Sequence, residues 1–459
     1  MTKDLTKGKT FNLILNFALP VLLGYLFQQF YNLVDTIIVG KGIGVGALAA
    51  VGSTGSVNFL IIGFCVGIST GVSIPVAQCF GAGDYSKMRQ YIYNSVILMA
   101  SVAVVFTIIT VIFCKQLLII MLTPYDIIDQ ASKYISIIFM GIPFILLFNL
   151  VASILRAVGD NKTPLVFLVV ASIINIFLDL LLILVFQWGV AGAAIATIVS
   201  QGISGIACLV YMLKKFPILI PEHRDRQLDK SLLLNLTNSG LPMGLQYSVT
   251  AIGSVLLQVS INTLGSEIVA AVTAASKINI FFCAPFDALG TTMATFAGQN
   301  VGAKKWKRLK KGLRESLQIG FVYSIGAFVF MILFGKHLGT LFVDSSQITI
   351  LNEIYIFLIF QSAFFCLLAI VNIVRFMIQG MGFGTFSIFS GVFEMIARAV
   401  MGLYIVPIFG FSAVCIASPM AWLLADLFLI PAFYFCLRRL LSSHKKARLK
   451  LQLLYSGNV

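Results

Sequence analysis

Two carboxylates, Asp35 and Asp179, interrupt apolar stretches in the first half of this chain, and no lysine or arginine lies within those stretches. Asp35 precedes Lys41 by six residues, Asp179 precedes Trp188 by nine, and Thr197 follows Gly189 by eight. On helices rising about 1.5 Å per residue, all three side chains lie roughly 9–14 Å inside the same end of their segments. Asn175 stands one turn from Asp179 on the same face. Two uncompensated acids with an amide and a hydroxyl form an all-oxygen pocket. Such a set holds a proton between like charges or chelates a small hard cation. The plainer alternative is that each acid caps a neighbouring helix or snorkels outward, and Asp35, nearer the surface, is the more open to it.

The second half carries a different set. Asp287, Glu394 and Asp426 are matched there by Lys277, Arg375 and Arg398, so opposite charges can offset the cost of an ion in hydrocarbon. Glu394 and Arg398 are four apart, a spacing that lets them pair on one helix. A structural ion-pair network of Lys277, Glu394 and Arg398 is expected. Asp287 is the exception, because Pro285 opens its helix toward a cavity. The eight cysteines are scattered without a CxxC pair, and His223, His337 and His444 fall in loops or the tail. No disulfide framework, metal cluster, imidazole relay or cofactor is expected.

The elements that must carry these residues follow from composition. Residues are 59% hydrophobic and 11% charged, against about 25% charge in a soluble globule, and the mean hydropathy is +0.99. The fold class expected is an all-α polytopic membrane protein with twelve transmembrane helices in two six-helix bundles. The spans fall near 11–40, 46–80, 86–113, 130–157, 163–187, 190–213, 232–264, 268–301, 312–334, 350–380, 384–408 and 411–437. The first apolar run is too long for a cleaved signal peptide. Twelve spans put both termini on one side. That side holds 25 of the 32 basic residues and the other holds 4, which places the termini in the cytoplasm of a cell-membrane protein. The net charge of +15 is then a topology signal with some attraction to anionic lipid, and no nucleic-acid partner is expected. The boundaries read as a first lobe at 1–215, a charged cytoplasmic linker at 216–230, a second lobe at 231–440 and a basic tail at 441–459. The tail is amphipathic and is expected to lie on the membrane surface.

The chain also repeats itself at an offset of about 221 residues. Leu19-Pro20 returns as Leu241-Pro242, Ala49-Ala50-Val51 as Ala270-Ala271-Val272, Gln78 to Ala82 as Gln299 to Ala303, and Gly189-Val190-Ala191 as Gly410-Phe411-Ser412. Two half-domains about a pseudo-two-fold axis are an arrangement typical of transporters. Gly63, Gly67 and Gly71 have the spacing of close helix packing.

These motifs, in this order, resemble the multidrug and toxic-compound extrusion (MATE) family of secondary transporters. The resemblance includes Val34-Asp35-Thr36, Arg156 to Asp160 with Lys162-Thr163-Pro164, Gln299 to Ala303, and Glu394 with Arg398. It implies a V-shaped pair of bundles that alternates between facing outward and inward and expels cationic amphipathic drugs in exchange for protons or sodium. In the proton-coupled and archaeal-type branch, the coupling roles would fall on Asp35, Asn175, Asp179 and Thr197. The NorM-like sodium branch has acids in spans seven and ten, where this chain has Gln246 and Thr250, and no acid from Leu367 to Asn372. The substrate cleft is expected between the bundles, with Gln28, Gln246 and Asp287 as polar candidates, and a monomer would suffice. A lipid-linked oligosaccharide flippase is the competing reading, though it would want a more cationic cleft. An intramembrane enzyme would need a nucleophile and base at bilayer depth. A purely structural protein leaves the two uncompensated acids unexplained.

Overall fold

The computed structural model describes residues 3–456 apart from 122, 124 and 345, and the side chains of these except 45 and 443–456. In hydrocarbon every backbone polar group must be satisfied within its own segment, and the long Leu, Ile, Val and Phe runs accordingly form helices. In chain order these are α1 (Thr10–Gly42), α2 (Val45–Ser53), α3 (Gly55–Ala82), α4 (Tyr85–Ile120), α5 (Ile128–Met140), α6 (Ile142–Ala157), α7 (Lys162–Asp179) and α8 (Gly189–Lys215). The second half gives α9 (Lys230–Asn262), α10 (Ser266–Gly302), α11 (Trp306–Gly339), α12 (Ile348–Ala363), α13 (Phe365–Gly380), α14 (Thr385–Val400), α15 (Val406–Phe409) and α16 (Phe411–Ser456). Ten of the described segments are long and apolar enough to cross a membrane alone. The bent pairs α5/α6, at 47°, and α12/α13, at 49°, bring the crossings to twelve.

The repeat is visible in the backbone. A π turn at Leu180–Val185 follows α7, and another at Met401–Ile405 follows α14. Gly44 and Gly265 take positive φ at the same offset, as do Gly189 and Gly410. The second expected span is broken at Thr54 into α2 and α3.

The two lobes exchange the opening turns of their first helices. Ile14, Phe17, Ala18 and Val21 of α1 are buried in the second-lobe core beside Phe286, Phe296 and Trp422. Reciprocally, Leu232 and Leu236 of α9 are buried in the first-lobe core with Val72 and Tyr91. The opening turns of α1 and α9 thus pack on the lobe opposite to the one that the rest of each helix belongs to. Pro20 and Pro242 sit where each exchanged helix passes from one lobe to the other.

The lobes meet along an antiparallel seam of α3 and α9. A Cβ at Gly67 would fall 2.6 Å from the Met243 carbonyl oxygen, and one at Gly71 would fall 2.5 Å from that of Ser239. Nearer the termini, Gly81 abuts the Gln299 backbone and Gly302 that of Gln78. The seam's far limit is the bond from Ser248 Oγ to the Leu60 carbonyl at 3.1 Å. Beyond it, Gly55 and Gly52 face open space. The lobes are therefore shut at the end that carries the termini and parted at the other.

Residues 216–230 form the expected connection, with two 3₁₀ turns, Pro217–Leu219 and His223–Asp225. The buried Asp225 carboxylate accepts bonds from Arg89 Nε at 2.5 Å and Ser86 Oγ at 2.9 Å, tying the connection to α4. The tail continues α16 as helix to Ser456. Its side chains from 443 onward, on which the amphipathic expectation rests, lie outside the described residues.

Candidate functional site

Asp35 comes from α1, Asn175 and Asp179 from α7, and Thr197 from α8. The three helices pack together in the half of the first lobe that faces away from the termini. Asn175 and Asp179 are buried, at 1% and 0% exposure, and Asp35 is half-buried. The Asn175 amide is fully satisfied when its Nδ2 donates to Asp179 Oδ2 at 3.0 Å and its Oδ1 accepts from the Thr197 N–H at 3.2 Å. Thr197 Oγ1 donates to the Ala193 carbonyl at 3.0 Å, which leaves its lone pairs free. The carboxyls of Asp35 and Asp179 lie within hydrogen-bonding reach of each other. One oxygen of each, Oδ1, is buried and has no protein partner. Two carboxylates facing each other this closely need a proton or a cation between them. All four expected residues are thus brought together.

Two tyrosines complete the pocket. Tyr31, four residues before Asp35, has its hydroxyl turned toward Thr197, and Tyr134 of α5 is buried within the electrostatic field of both acids. The i,i+4 spacing to Asp35 was the sequence signal for Tyr31; Tyr134 had none. The π turn that begins immediately after Asp179 is another feature that apolar periodicity hides. Such turns recur at functional sites.

In the second lobe the acids belong to a chain of bonds. Asn372 Nδ2 donates to Asp287 Oδ1 at 3.2 Å and Arg375 donates to Asn372 Oδ1 at 3.1 Å. Arg375 also pairs with Glu394 at 2.6 Å, and Arg398 lies 3.6 Å from the other Glu394 oxygen. Arg398 ends the chain on the Thr250 carbonyl and Ser254 Oγ, both at 3.3 Å. The expected network needs one correction. Lys277 is exposed and makes no ion pair among the described residues, and Arg375 on α13 takes its place. Position along a span says nothing about which face of the helix a side chain occupies, and Lys277 points outward. Asp426 is also buried, and neither of its oxygens has a hydrogen-bond partner.

The polar cleft candidates divide. Asp287 and Gln28 are exposed. Gln246 is 4% exposed, accepts a bond from Gln379 at 3.4 Å, and packs against Gly391 inside the second lobe. It belongs to the packing of α9 on α13 and α14 and does not line the cleft. The floor between the lobes is instead built from residues that periodicity did not single out. Tyr25 of α1 bonds Thr291 of α10 at 2.9 Å across the lobes. Arg156, at the end of the expected fourth span, stands in the last turn of α6. There it lines a narrow pocket with Thr70 and Ser73 of the first lobe and Thr291 and Thr295 of the second.

Twelve membrane crossings in two lobes, shut at one end around a polar floor, define a multi-pass membrane transporter. The MatE family model matches residues 20–181 and 242–405, one stretch in each half. The chain is 30% identical over 355 residues to the "Probable multidrug resistance protein YpnP" of Bacillus subtilis, covering 77% of this chain and 79% of that one. It is 25% identical over 348 residues to the FAD transporter of Shewanella oneidensis, covering 73% and 75% of the two chains. A crystal structure of MATE in complex with MaL6 matches with a TM-score of 0.88 at 25% identity, covering 97% of this chain and 100% of that chain. The chain belongs to the MATE family, whose members are transporters and not enzymes.

Proposed function

We propose that this protein exports cationic amphipathic drugs by antiport, with Asp35 and Asp179 as the coupling pair and both termini in the cytoplasm. The observation that carries the reading is the facing pair of acids with an orphaned buried oxygen on each. A proton suits this pocket better than sodium. One proton shared between the facing acids answers both orphaned oxygens, whereas sodium would have to recruit further oxygens, the Thr197 and Tyr31 hydroxyls among them, to reach the six or so that hard cations gather. In the conformation parted away from the termini, an outside ion would load the pair and weaken substrate binding. Closure would carry the ion inward and expose the cleft to the cytoplasm. The loaded and unloaded pockets must differ in free energy between the two conformations, or no transport is driven. The comparisons favour a drug transporter over a lipid flippase.

A second reading, an anionic substrate, is favoured by Arg156, a guanidinium on the inter-lobe floor without a carboxylate partner among the described ion pairs. Purified protein in liposomes decides. Ethidium exchange would be followed under a proton gradient and a sodium gradient imposed separately, on wild type and on Asp35→Asn with Asp179→Asn. Exchange driven by one gradient and lost in the double variant is the expected result. Exchange that persists in the double variant would end the coupling assignment. Movement of a flavin nucleotide, but not ethidium, would move the substrate class to anions.

A further inference from the structure

The turn between α10 and α11 departs from its counterpart in the first half in a way that costs the protein local stability. In the first half the turn is Gly83-Asp84. Gly83 has φ 75, where glycine is at ease, and Asp84 caps α4 by accepting from the Lys87 N–H at 3.1 Å. At the equivalent places, 221 residues on, stand Lys304 and Lys305. Lys304 holds φ 56, a left-handed conformation that strains a residue with a Cβ, and Lys305 provides no side-chain cap to α11. The second half has given up a glycine and a cap and gained two positive charges.

Those charges line a cup. Lys7, Lys304, Lys305, Lys307 and Arg308 surround a space of about 1140 Å³, counting its open mouth, with Trp306 and Leu441 in the wall. The cup's floor is a strap, residues 3–8, laid across both lobes. Lys3 donates its N–H to the Val158 carbonyl of the first lobe at 3.2 Å. In the second lobe Leu5 N–H reaches Gln299 Oε1 at 2.8 Å. Lys305 Nζ bonds the Thr6 carbonyl at 2.8 Å, and Arg308 bonds those of Gly8 and Leu5 at 2.9 and 3.1 Å. Two of the five cations are therefore satisfied by neutral carbonyls, which leaves their charge uncancelled. The ion pair made by the five among the described residues is Lys7 with Asp4, at 3.4 Å.

We propose that this cup binds the phosphate of an anionic phospholipid headgroup, which clamps the strap to the second lobe and holds the lobes shut at that end. The wall argues for lipid over a free phosphate. Trp306 at the start of α11 and the exposed Leu441 of α16 set an indole and an aliphatic side chain beside the cations, the pairing of aromatic and basic groups found at the membrane–water boundary.

The test uses the full chain in nanodiscs of phosphatidylcholine with and without phosphatidylglycerol, reading lipid retention by native mass spectrometry and the thermal midpoint. Wild type should retain phosphatidylglycerol preferentially. Lys304→Gly with Lys307→Gln, neither of which bonds the strap, should lower that preference about fivefold per lysine. In pure phosphatidylcholine the same variant should melt no lower than wild type, because glycine relieves the φ of residue 304. Lys214→Gln with Lys215→Gln, an equal loss of charge at the end of α8, should leave the preference intact. The proposal is overturned if the cup variant keeps the preference, if the α8 variant loses it equally, or if soluble glycerol phosphate displaces the lipid as well as a second lipid does. Should the cup variant melt below wild type, Lys307→Gln alone is judged by the same preference.

Discussion

Replacing Gly71 by alanine puts the close packing of the seam under direct strain. The new Cβ would lie 2.5 Å from the Ser239 oxygen and 2.6 Å from Gly240 Cα, where ordinary contact begins at 3.4 Å. Both neighbours are backbone, so no side chain can swing aside, and α3 and α9 must part by about 1 Å locally. Overpacking of this kind costs about 1–3 kcal/mol. The cost falls on the conformation shut at the terminal end and not on the one in which the seam is open. The equilibrium between them should therefore move about 5- to 150-fold toward opening. Spin labels at the exposed Lys87 and Lys310, in a background with few cysteines, report the separation at that end by double electron–electron resonance. A longer distance should grow in at the expense of the shorter one. Gly52→Ala is the control, since a Cβ there meets nothing within 4 Å. An unchanged distribution in a well-folded Gly71→Ala protein would mean that the lobes are not held together by this approach.

Other outcomes follow from the same structure. Glu394→Gln leaves Arg375 and Arg398 buried without their shared counter-charge and should lower stability by about 3–5 kcal/mol; Lys277→Met should stay within about 0.5 kcal/mol, both read from thermal unfolding. Burial works against the Asp225 charge, but bonds from Arg89, Ser86 and the Glu222 N–H outweigh it and hold this carboxyl below the ordinary 3.8. Its contribution is thus full above that value and lost as pH falls through the lowered folded one. Asp225→Asn should expose the linker to limited proteolysis at neutral pH, and variant and wild type should converge in strong acid. Tyr31→Phe removes a hydroxyl that faces the neutral Thr197 and should slow gradient-driven efflux by no more than about tenfold, without the complete block expected of Asp35→Asn; a wild-type rate would remove Tyr31 from the site.

Hydropathy and the repeat were enough to read the twelve crossings, because only apolar helices of sufficient length can cross. Depth along the helices was enough to group Asp35, Asn175, Asp179 and Thr197, since all three helices start or stop at one plane. Depth without rotation failed for Lys277 and Gln246. Both lie at the right level, but one points away from the network and the other into the packing of its own lobe. Arg156 fell inside the expected fourth span, but depth alone did not show that its side chain turns toward the floor between the lobes. The exchange at the starts of α1 and α9 left no trace in the sequence, because neither helix gathers its apolar residues on one face that would name its lobe.

That exchange also sets the order in which the molecule can be finished. Leu5, Ile14 and Phe17 bury their side chains against α10, α13 and α16, so this early part of the chain is among the last to settle. Until the second lobe has been inserted these side chains lack their core, and the start of α1 is tied to the first lobe through the Asn161 bond to the Phe17 carbonyl and the Lys3 bond to that of Val158. The two halves are thus not independent folding units. Synthesised as separate chains they should assemble only by trading the starts of their first helices, and a bulky fusion placed before Lys3 would obstruct the final step of maturation.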